Sequence, residues 1–465
     1  MLQAEKNFGI LTDDIIQQIE GIVGKSNYST TLAERELHSK DQSMYPPSPP
    51  DIVVWVETTK HVSNLLQLAN THRIPVTPWG VGTSLEGNPM PIYGGILISF
   101  QKMAQIIETY TDDFQVTVQP GIGYKDLNGT LARQGLFFPP DPGANATIGG
   151  MIANNAAGIR TVKYGATRDN VLSLQVVLAD GRILRVGSRS VKQSSGYDLL
   201  HLITGSEGTL GIITEATLKL APIAEHKIAV QAVFDSVAQA VETVVAVRGS
   251  GLDPVALEFI DTYMARMMNN NPNVDLAESP QLFMEFHATH EDALNQTIEF
   301  ITEICSDIGA HKIHATADTK ERANLWYARH HALESFQRTH PGKRAYLNDV
   351  AVPISAYPDL INFIHTLRET APLPAYMLGH AGDGNIHVIF PFGDEEEYKI
   401  ASELNAQVVE QAIAMGGTAT GEHGVGIGKS RFMAQEHGDA LDVMWSIKQT
   451  LDPNGILNPG KIFRD

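Results

Sequence analysis

Cysteine is nearly absent, with Cys305 the only one in the chain. That excludes a disulfide framework, a Cys-rich zinc site and an iron–sulfur cluster of the protein's own. Any redox chemistry must use a bound organic cofactor or a metal held by nitrogen and oxygen ligands. Positive charge is scarce too: 34 Lys+Arg stand against 53 Asp+Glu, a net charge of −19. Nucleic acid and anionic membranes both need a basic face, so neither is expected as the main partner. No apolar run approaches the ~18 residues of a membrane helix. The first twenty residues lack a basic stretch followed by an apolar one, and resemble neither a secretory signal nor an Arg-rich transit peptide. The expectation is a cytoplasmic protein without a transmembrane segment, peripheral at most at a membrane partner.

What is present is ordinary globular chemistry, with 43% apolar and 19% charged residues. A chain of 465 residues makes two or three domains at roughly 100–200 residues each. Residues 1–44 read as helical: Leu11-Thr12-Asp13-Asp14 looks like a helix start, and Ile15, Ile16 and Ile19 follow on one face. Tyr45-Pro46-Pro47-Ser48-Pro49-Pro50 is an extended linker. A glycine-rich domain is expected over 45–222. It opens as strand Ile52–Val56, helix His61–His72, strand Ile74–Pro78 and strand Gly95–Ser99, a βαβ pattern repeating more loosely to Pro222. Over 223–425 the texture becomes α+β, with helices expected at Ser236–Ser250, Glu291–Gly309 and Thr319–Thr339. A segment of turn chemistry closes the chain over 426–465.

Three glycine-rich segments stand out in the first domain. Pro78-Trp79-Gly80-Val81-Gly82-Thr83-Ser84-Leu85-Glu86-Gly87-Asn88 offers a nest of backbone N–H groups suited to phosphate; an ordinary wide turn is the other reading. It is not a dinucleotide fingerprint, because Leu85 stands where the third Gly belongs. His423-Gly424-Val425-Gly426-Ile427-Gly428-Lys429-Ser430 is not a Walker A loop either, because His423 replaces the first Gly. Nicotinamide Rossmann enzymes and P-loop NTPases are both disfavoured. The second segment, Pro139 to Gly158, is dense in small residues that let backbone pack on a large flat ligand. The third, Gly205-Ser206-Glu207-Gly208-Thr209-Leu210-Gly211-Ile212-Ile213, sets a glycine turn before a strand.

These segments, with Lys163-Tyr164-Gly165-Ala166-Thr167-Arg168-Asp169-Asn170-Val171, resemble the flavin-binding domain of the vanillyl-alcohol oxidase family over nearly the whole chain. The resemblance implies an α+β fold: a PCMH-type FAD-binding domain of two subdomains, plus an α+β substrate or cap domain with an antiparallel sheet. The final segment would return to the FAD domain. FAD would be held by Pro78, Trp79, Gly80, Val81, Gly82, Thr83, Ser84 and Gly87 of the first loop. Pro140, Asp141, Pro142, Thr147, Gly149, Gly150, Asn154, Ala156 and Gly158 would line it further, with Tyr164 and Gly165. Glu207, Gly208, Gly211, Ile212, Ile213 and Asn458 complete the implied cofactor set. Gly82-Thr83-Ser84 offers no His or Cys for covalent attachment, so noncovalent FAD is implied.

Near the end of the second domain, Gly379-His380-Ala381-Gly382-Asp383-Gly384-Asn385-Ile386-His387 and Gly421-Glu422-His423-Gly424 gather imidazoles and a carboxylate on glycine-flanked turns. Such donors suit a divalent metal, and the spacing is not that of a zincin. The residues resemble those of FAD-linked D-2-hydroxyacid dehydrogenases, a group holding D-lactate dehydrogenases, the glycolate oxidase flavoprotein subunit and D-2-hydroxyglutarate dehydrogenases. Carried over, His380, His387 and Glu422 become ligands of zinc, manganese or iron, His423 the active-site base, and Asn385 a substrate contact. Leu325-Trp326-Tyr327-Ala328-Arg329-His330-His331-Ala332 resembles the group's Arg-bearing helix, which makes Arg329 the carboxylate clamp; an Arg on a solvated helix face is the other reading.

The 2-hydroxyglutarate branch holds a distal carboxylate with a Thr and a Lys, where this chain has Leu333 and Leu347. Apolar residues cannot balance a second buried carboxylate. The expected substrate is therefore a small anionic D-2-hydroxy acid, D-lactate first. Lys343 and Arg344 would weaken that inference if either reached the pocket. Two other readings exist: a metallohydrolase without flavin, disfavoured by the glycine segments, and a noncatalytic FAD subunit, disfavoured by the retained His and Glu. With one cysteine there is no onward wire for electrons within the chain. An external acceptor is implied: a quinone, a cytochrome, an electron-transfer flavoprotein or an iron–sulfur subunit. The resemblance also carries a homodimer as an expectation.

Overall fold

In the computed structural model, which describes residues 8–464, Thr12 caps a first helix, Asp13–Val23, accepting from the Ile15 amide. Ile15, Ile19 and Val23 are its buried residues, while Ile16 lies at the margin of the same cluster. The expected all-helical start is interrupted. Tyr28–Ser29 forms a short strand paired with Val53 and Val54, and only Leu32–Leu37 is helical after it. Residues 1–7 of that expected segment lie outside the described residues.

The chain divides into two units. The first runs to Ala156, resumes over Ala166–Ile223 and takes in everything from Glu422 onward. Its leading sheet places Tyr28–Ser29, Ile52–Trp55, Ile96–Ser99 and Val76–Trp79 side by side, the last three parallel. Parallel strands need a crossover, and the helix Thr59–His72 supplies it. It starts earlier than its apolar pattern because Thr58 accepts from the His61 amide. Val62, Leu65, Leu66 and Ala69 of that helix are buried in one cluster with Ile456 and Leu457 from the end of the chain.

The βαβ pattern does not continue. The next sheet, in the order Ile106–Tyr110, Gln115–Val118, Ile212–Lys219, Val171–Val177 and Ile183–Gly187, is antiparallel throughout. Two of its pairs have turns too short for anything else: residues 111–114 separate Tyr110 from Gln115, and 178–182 separate Val177 from Ile183. A parallel crossover needs about a dozen residues or more. Helices Tyr124–Leu131, Ile148–Asn154 and Leu199–Ile203 bury Leu127, Leu131, Met151, Ile152 and Ile203 in this sheet's core.

The second unit holds residues 157–165 and 224–421. Its antiparallel sheet has seven strands, in the order Ala310–Thr316, His226–Phe234, Gln281–Ala288, Ala256–Ile260, Tyr376–Gly379, Asn385–Phe392 and Arg344–Ala351. One face sets Ala256, Ile260, Phe283, Leu378 and Ile389 against residues of the helices Thr262–Met268, Thr319–His330 and Ala332–Thr339. The alternate residues Leu257, Phe259, Leu282 and Met284 are buried as well, so both faces are covered. Val237–Gly249 begins with a Ser236–Gln239 capping box, and Glu291–Ile308 ends at Gly309 with φ 108°, each where a cap residue dictates. The expected helix Thr319–Thr339 is broken at His331, whose ring bonds back to the Tyr327 carbonyl.

The excursion 157–165 belongs to the second unit although its neighbours in sequence do not. Lys163 pairs with Asp253 at 2.9 Å, and Val162 packs on Gly382. Among the described residues no helix is long and apolar enough to cross a membrane.

Candidate functional site

In the first unit the three glycine segments meet. The loop after strand Val76–Trp79 packs so tightly that a Cβ on Gly80 would lie 2.4 Å from Thr147 Oγ1, so only glycine fits there. Thr147 in turn caps the helix Ile148–Asn154 by accepting from the Gly150 amide. Trp79 is buried, with His38 edge-on at 5.5 Å. Asp141 accepts from the Tyr124 hydroxyl at 2.9 Å. A Cβ on Gly149 would lie 2.6 Å from Pro120 and one on Gly208 2.6 Å from Pro78, so small residues let these segments pack closely on one another.

Two residues expected at the cofactor have their side chains committed to the protein. The Glu207 carboxylate accepts from the amides of Val425 and Gly426 at 2.6 and 2.9 Å. Burial raises its pKa, and those amides, Asn88 and Lys461 work against the rise. Asn458 donates to the carbonyls of Asn88 and Glu207 at 2.9 and 2.7 Å. Both tie the returning end of the chain to the glycine segments. Gly158, Tyr164 and Gly165 fall in the second unit rather than with the other expected cofactor residues.

Glu422 and His423 also belong to the first unit. Their side chains are both 13% exposed, with His423 Nε2 3.8 Å from Glu422 Oε1. Asn154 donates to the His423 carbonyl at 3.5 Å.

The second unit assembles a polar site on one sheet face. His380 follows the strand Tyr376–Gly379, and His387 lies on Asn385–Phe392, paired with Leu378. The two buried imidazoles stand at right angles, ring centroids 5.3 Å apart. Asn385 donates to Asp349 Oδ1 at 2.7 Å and to the Val350 carbonyl at 2.9 Å. Its Oδ1 is buried without a hydrogen-bond partner among the described residues. Asp349 accepts from Thr420 at 2.8 Å and lies 3.6 Å from His387 Nδ1. A Cβ on Gly421 would lie 2.2 Å from Asn385 Nδ2, so glycine is required one residue before Glu422.

Arg329 is no solvated surface residue: its side chain is 14% exposed, and Nε donates to Glu258 Oε2 at 2.8 Å. Glu258 Oε1 accepts from His380 Nδ1 at 2.6 Å. Burial works to raise the Glu258 pKa, but His380 and Arg329 outweigh it and hold the carboxyl below its ordinary value. Leu333, beyond the helix break, is 52% exposed and forms no buried wall. Leu347 packs on the apolar cluster with Tyr376 and Ile389. Lys343 pairs with Glu397 at 2.6 Å, and Arg344 stacks over Phe392 at 4.6 Å.

Sequence reasoning missed Glu258 and Asp349. Each is a lone acid inside an apolar strand, Val255-Ala256-Leu257-Glu258-Phe259-Ile260 and Ala345-Tyr346-Leu347-Asn348-Asp349-Val350-Ala351. That pattern signals a buried, partnered carboxylate.

Two family models match the chain: an FAD binding domain over residues 50–187 and the C-terminal domain of FAD linked oxidases over residues 223–462. Among relatives, a probable mitochondrial D-lactate dehydrogenase of Danio rerio is 38% identical over 97% of this chain and 91% of its own length. Glycolate oxidase subunit GlcD of Bacillus subtilis is 36% identical over 98% and 97%. Among solved structures, p-cresol methylhydroxylase with substrate bound aligns with TM-score 0.79 over 97% of both chains, at 16% identity. Alkyldihydroxyacetonephosphate synthase aligns with TM-score 0.74 over 99% of this chain and 87% of its own, at 20% identity. Those two likenesses show the PCMH-type α+β fold. The fold and the paired domains define an FAD-linked oxidoreductase. The chain belongs to the FAD-linked oxidase family that contains the D-lactate dehydrogenases and GlcD.

Proposed function

We propose that this protein oxidises a small D-2-hydroxy acid, D-lactate first, to the 2-keto acid and passes the electrons to an external acceptor. The observation that carries the reading is the sheet face where Arg329, His380, His387 and Asn385 gather in a chain whose other unit has an FAD-binding fold. The glycine segments that would receive that cofactor pack directly on one another, Gly80 against Thr147 and Gly208 against Pro78. FAD, when bound, supplies a two-electron acceptor for the hydride from the substrate Cα.

The chain's own residues supply position and proton transfer. Arg329 has one edge on Glu258, and the opposite guanidinium edge suits the substrate carboxylate in a two-point grip. Asn385 has a buried oxygen to offer. His423, one residue after Glu422, takes the hydroxyl proton, since imidazole titrates near neutrality. His380, His387 and Glu422 are the residues to hold a divalent metal. Their nitrogen and oxygen donors suit zinc, manganese or iron, and such an ion would acidify a coordinated hydroxyl. The small-substrate preference rests on Leu347 in its apolar surroundings and on Lys343 and Arg344 being engaged elsewhere. The exposed Leu333 contributes nothing to it.

Anaerobic mixing of the purified flavoprotein with D-lactate, L-lactate, glycolate and D-2-hydroxyglutarate tests this reading. Bleaching of the flavin by D-lactate, lost after EDTA and restored by added metal, is the expected result. Bleaching by D-2-hydroxyglutarate alone overturns the small-substrate assignment, and bleaching untouched by EDTA overturns the metal. His423→Ala should keep FAD and stop the bleaching; a normal rate in that variant removes His423 as the base.

A further inference from the structure

Glu258 divides its carboxylate between two residues with different tasks in the proposed reaction. It lies on the strand Ala256–Ile260, next to the strand that leads into His380, with Phe259 opposite Gly379. The helix Thr319–His330 brings Arg329 to the same group. The side chain of Glu258 is wholly buried, Oε1 accepts from His380 Nδ1 and Oε2 from Arg329 Nε. A buried carboxylate needs strong partners, but a single cation would have met that need. Here each oxygen fixes a different side chain.

We propose that Glu258 is a positioning residue that couples the substrate clamp to the metal-ligand imidazole, a role that rests on the function proposed above. An ionised carboxylate only accepts, so the proton of a neutral His380 stays on Nδ1. Nε2 then presents its lone pair for a cation, the arrangement a metal-binding imidazole needs. Binding Arg329 through Nε fixes the plane of the guanidinium and leaves its two terminal nitrogens as a fork for a carboxylate. One rigid group thus sets the angle between the place where the substrate carboxylate is gripped and the place where its hydroxyl is polarised. A 2-hydroxy acid carries those two groups on adjacent carbons, so that angle decides productive binding.

Glu258→Gln tests this on the FAD-loaded protein. Glutamine keeps the shape but has one acceptor oxygen and an amide that cannot accept. The variant should keep its flavin and remain folded, with a lowered melting temperature because a buried ion pair is lost, while Zn2+ affinity, measured by chelator competition at a temperature where it is folded, falls by about 10–100-fold. KM for D-lactate should rise more than kcat falls, and adding Arg329→Lys should cost little more, because the two act as one unit. Zn2+ affinity and KM within twofold of wild type, in a wild type that itself binds Zn2+ and is bleached, overturn the role of Glu258 alone. A wild type that binds no metal and is bleached by none of the acids overturns the function reading, and this role with it. If Glu258→Gln does not fold, 15N NMR of the wild type decides: the imidazole signal missing in His380→Gln should report the Nδ1–H tautomer, and an Nε2–H tautomer overturns the proposal.

Discussion

Arg329 Nε and Glu258 Oε2 form an ion pair 2.8 Å long whose carboxylate side is wholly sealed from solvent. Lysine at position 329 would keep the charge and lose the planar fork. Arg329→Lys is expected to retain FAD and lower kcat/KM for D-lactate by about 30-fold or more, the scale of about 2 kcal/mol for a buried charged contact. Stopped-flow flavin reduction measures it. An unchanged kcat/KM would leave Arg329 a purely internal partner of Glu258.

Glu285 gives a stability prediction with a definite sign. It accepts from His287 Nε2 at 2.6 Å and from Trp326 Nε1 at 3.0 Å. Burial acts to raise its pKa, but His287, Arg160 and Arg322 lower it further, so the net direction is down. A carboxyl depressed in the folded state binds fewer protons there than when unfolded. Its stabilisation is present above the ordinary glutamate value of about 4.3 and drains away as pH falls through the folded value. Glu285→Gln should lose about 1–3 kcal/mol at pH 7, with the gap to wild type closing below about pH 4. Urea unfolding between pH 3 and 7 checks the trend; a gap that widens in acid contradicts it.

The returning end of the chain hangs on a buried lysine. Lys448 Nζ donates to the carbonyls of Thr209 and Leu457 at 2.8 and 2.9 Å and pairs with Asp452. Lys448→Met removes the cation paired with the buried Asp452 carboxylate, leaving it the amides of Ile456 and Leu457, and should destabilise the first unit by about 3–5 kcal/mol. Adding Asp452→Asn should recover part of that loss. Thermal release of flavin fluorescence follows both variants; a double mutant worse than Lys448→Met would refute the stranded charge.

The lone thiol should be silent. Cys305 is buried on the helix Glu291–Ile308, and burial pushes its pKa up to about 12. The thiolate is the reactive form. Native protein at pH 8 should therefore show no thiol titratable by Ellman's reagent, and one per chain in guanidinium. Fast modification of the native protein would contradict that burial.

The sequence by itself carried whatever depends on short-range chemistry. Ser236 with Gln239 and Gly309 mark helix ends through groups a few residues apart. The segments around Gly80, Gly149 and Gly208 announced close backbone approach, which demands glycine locally, and their resemblance to a flavin-binding family supplied the expectation of FAD. One cysteine sufficed to exclude a disulfide framework and a Cys-held cluster, and the excess of acid set the expectation against nucleic acid. Tertiary structure alone decided how distant residues pair. Strand register and the docking of one helix put Glu258 against His380 and Arg329, although 122 and 71 residues separate them along the chain. The same long-range packing turned the Glu207 carboxylate onto Val425 and Gly426, sent 157–165 into the second unit and left Leu333 in solvent. No local pattern encodes such contacts, because they follow from which strands lie side by side, and that is fixed only when the whole sheet forms.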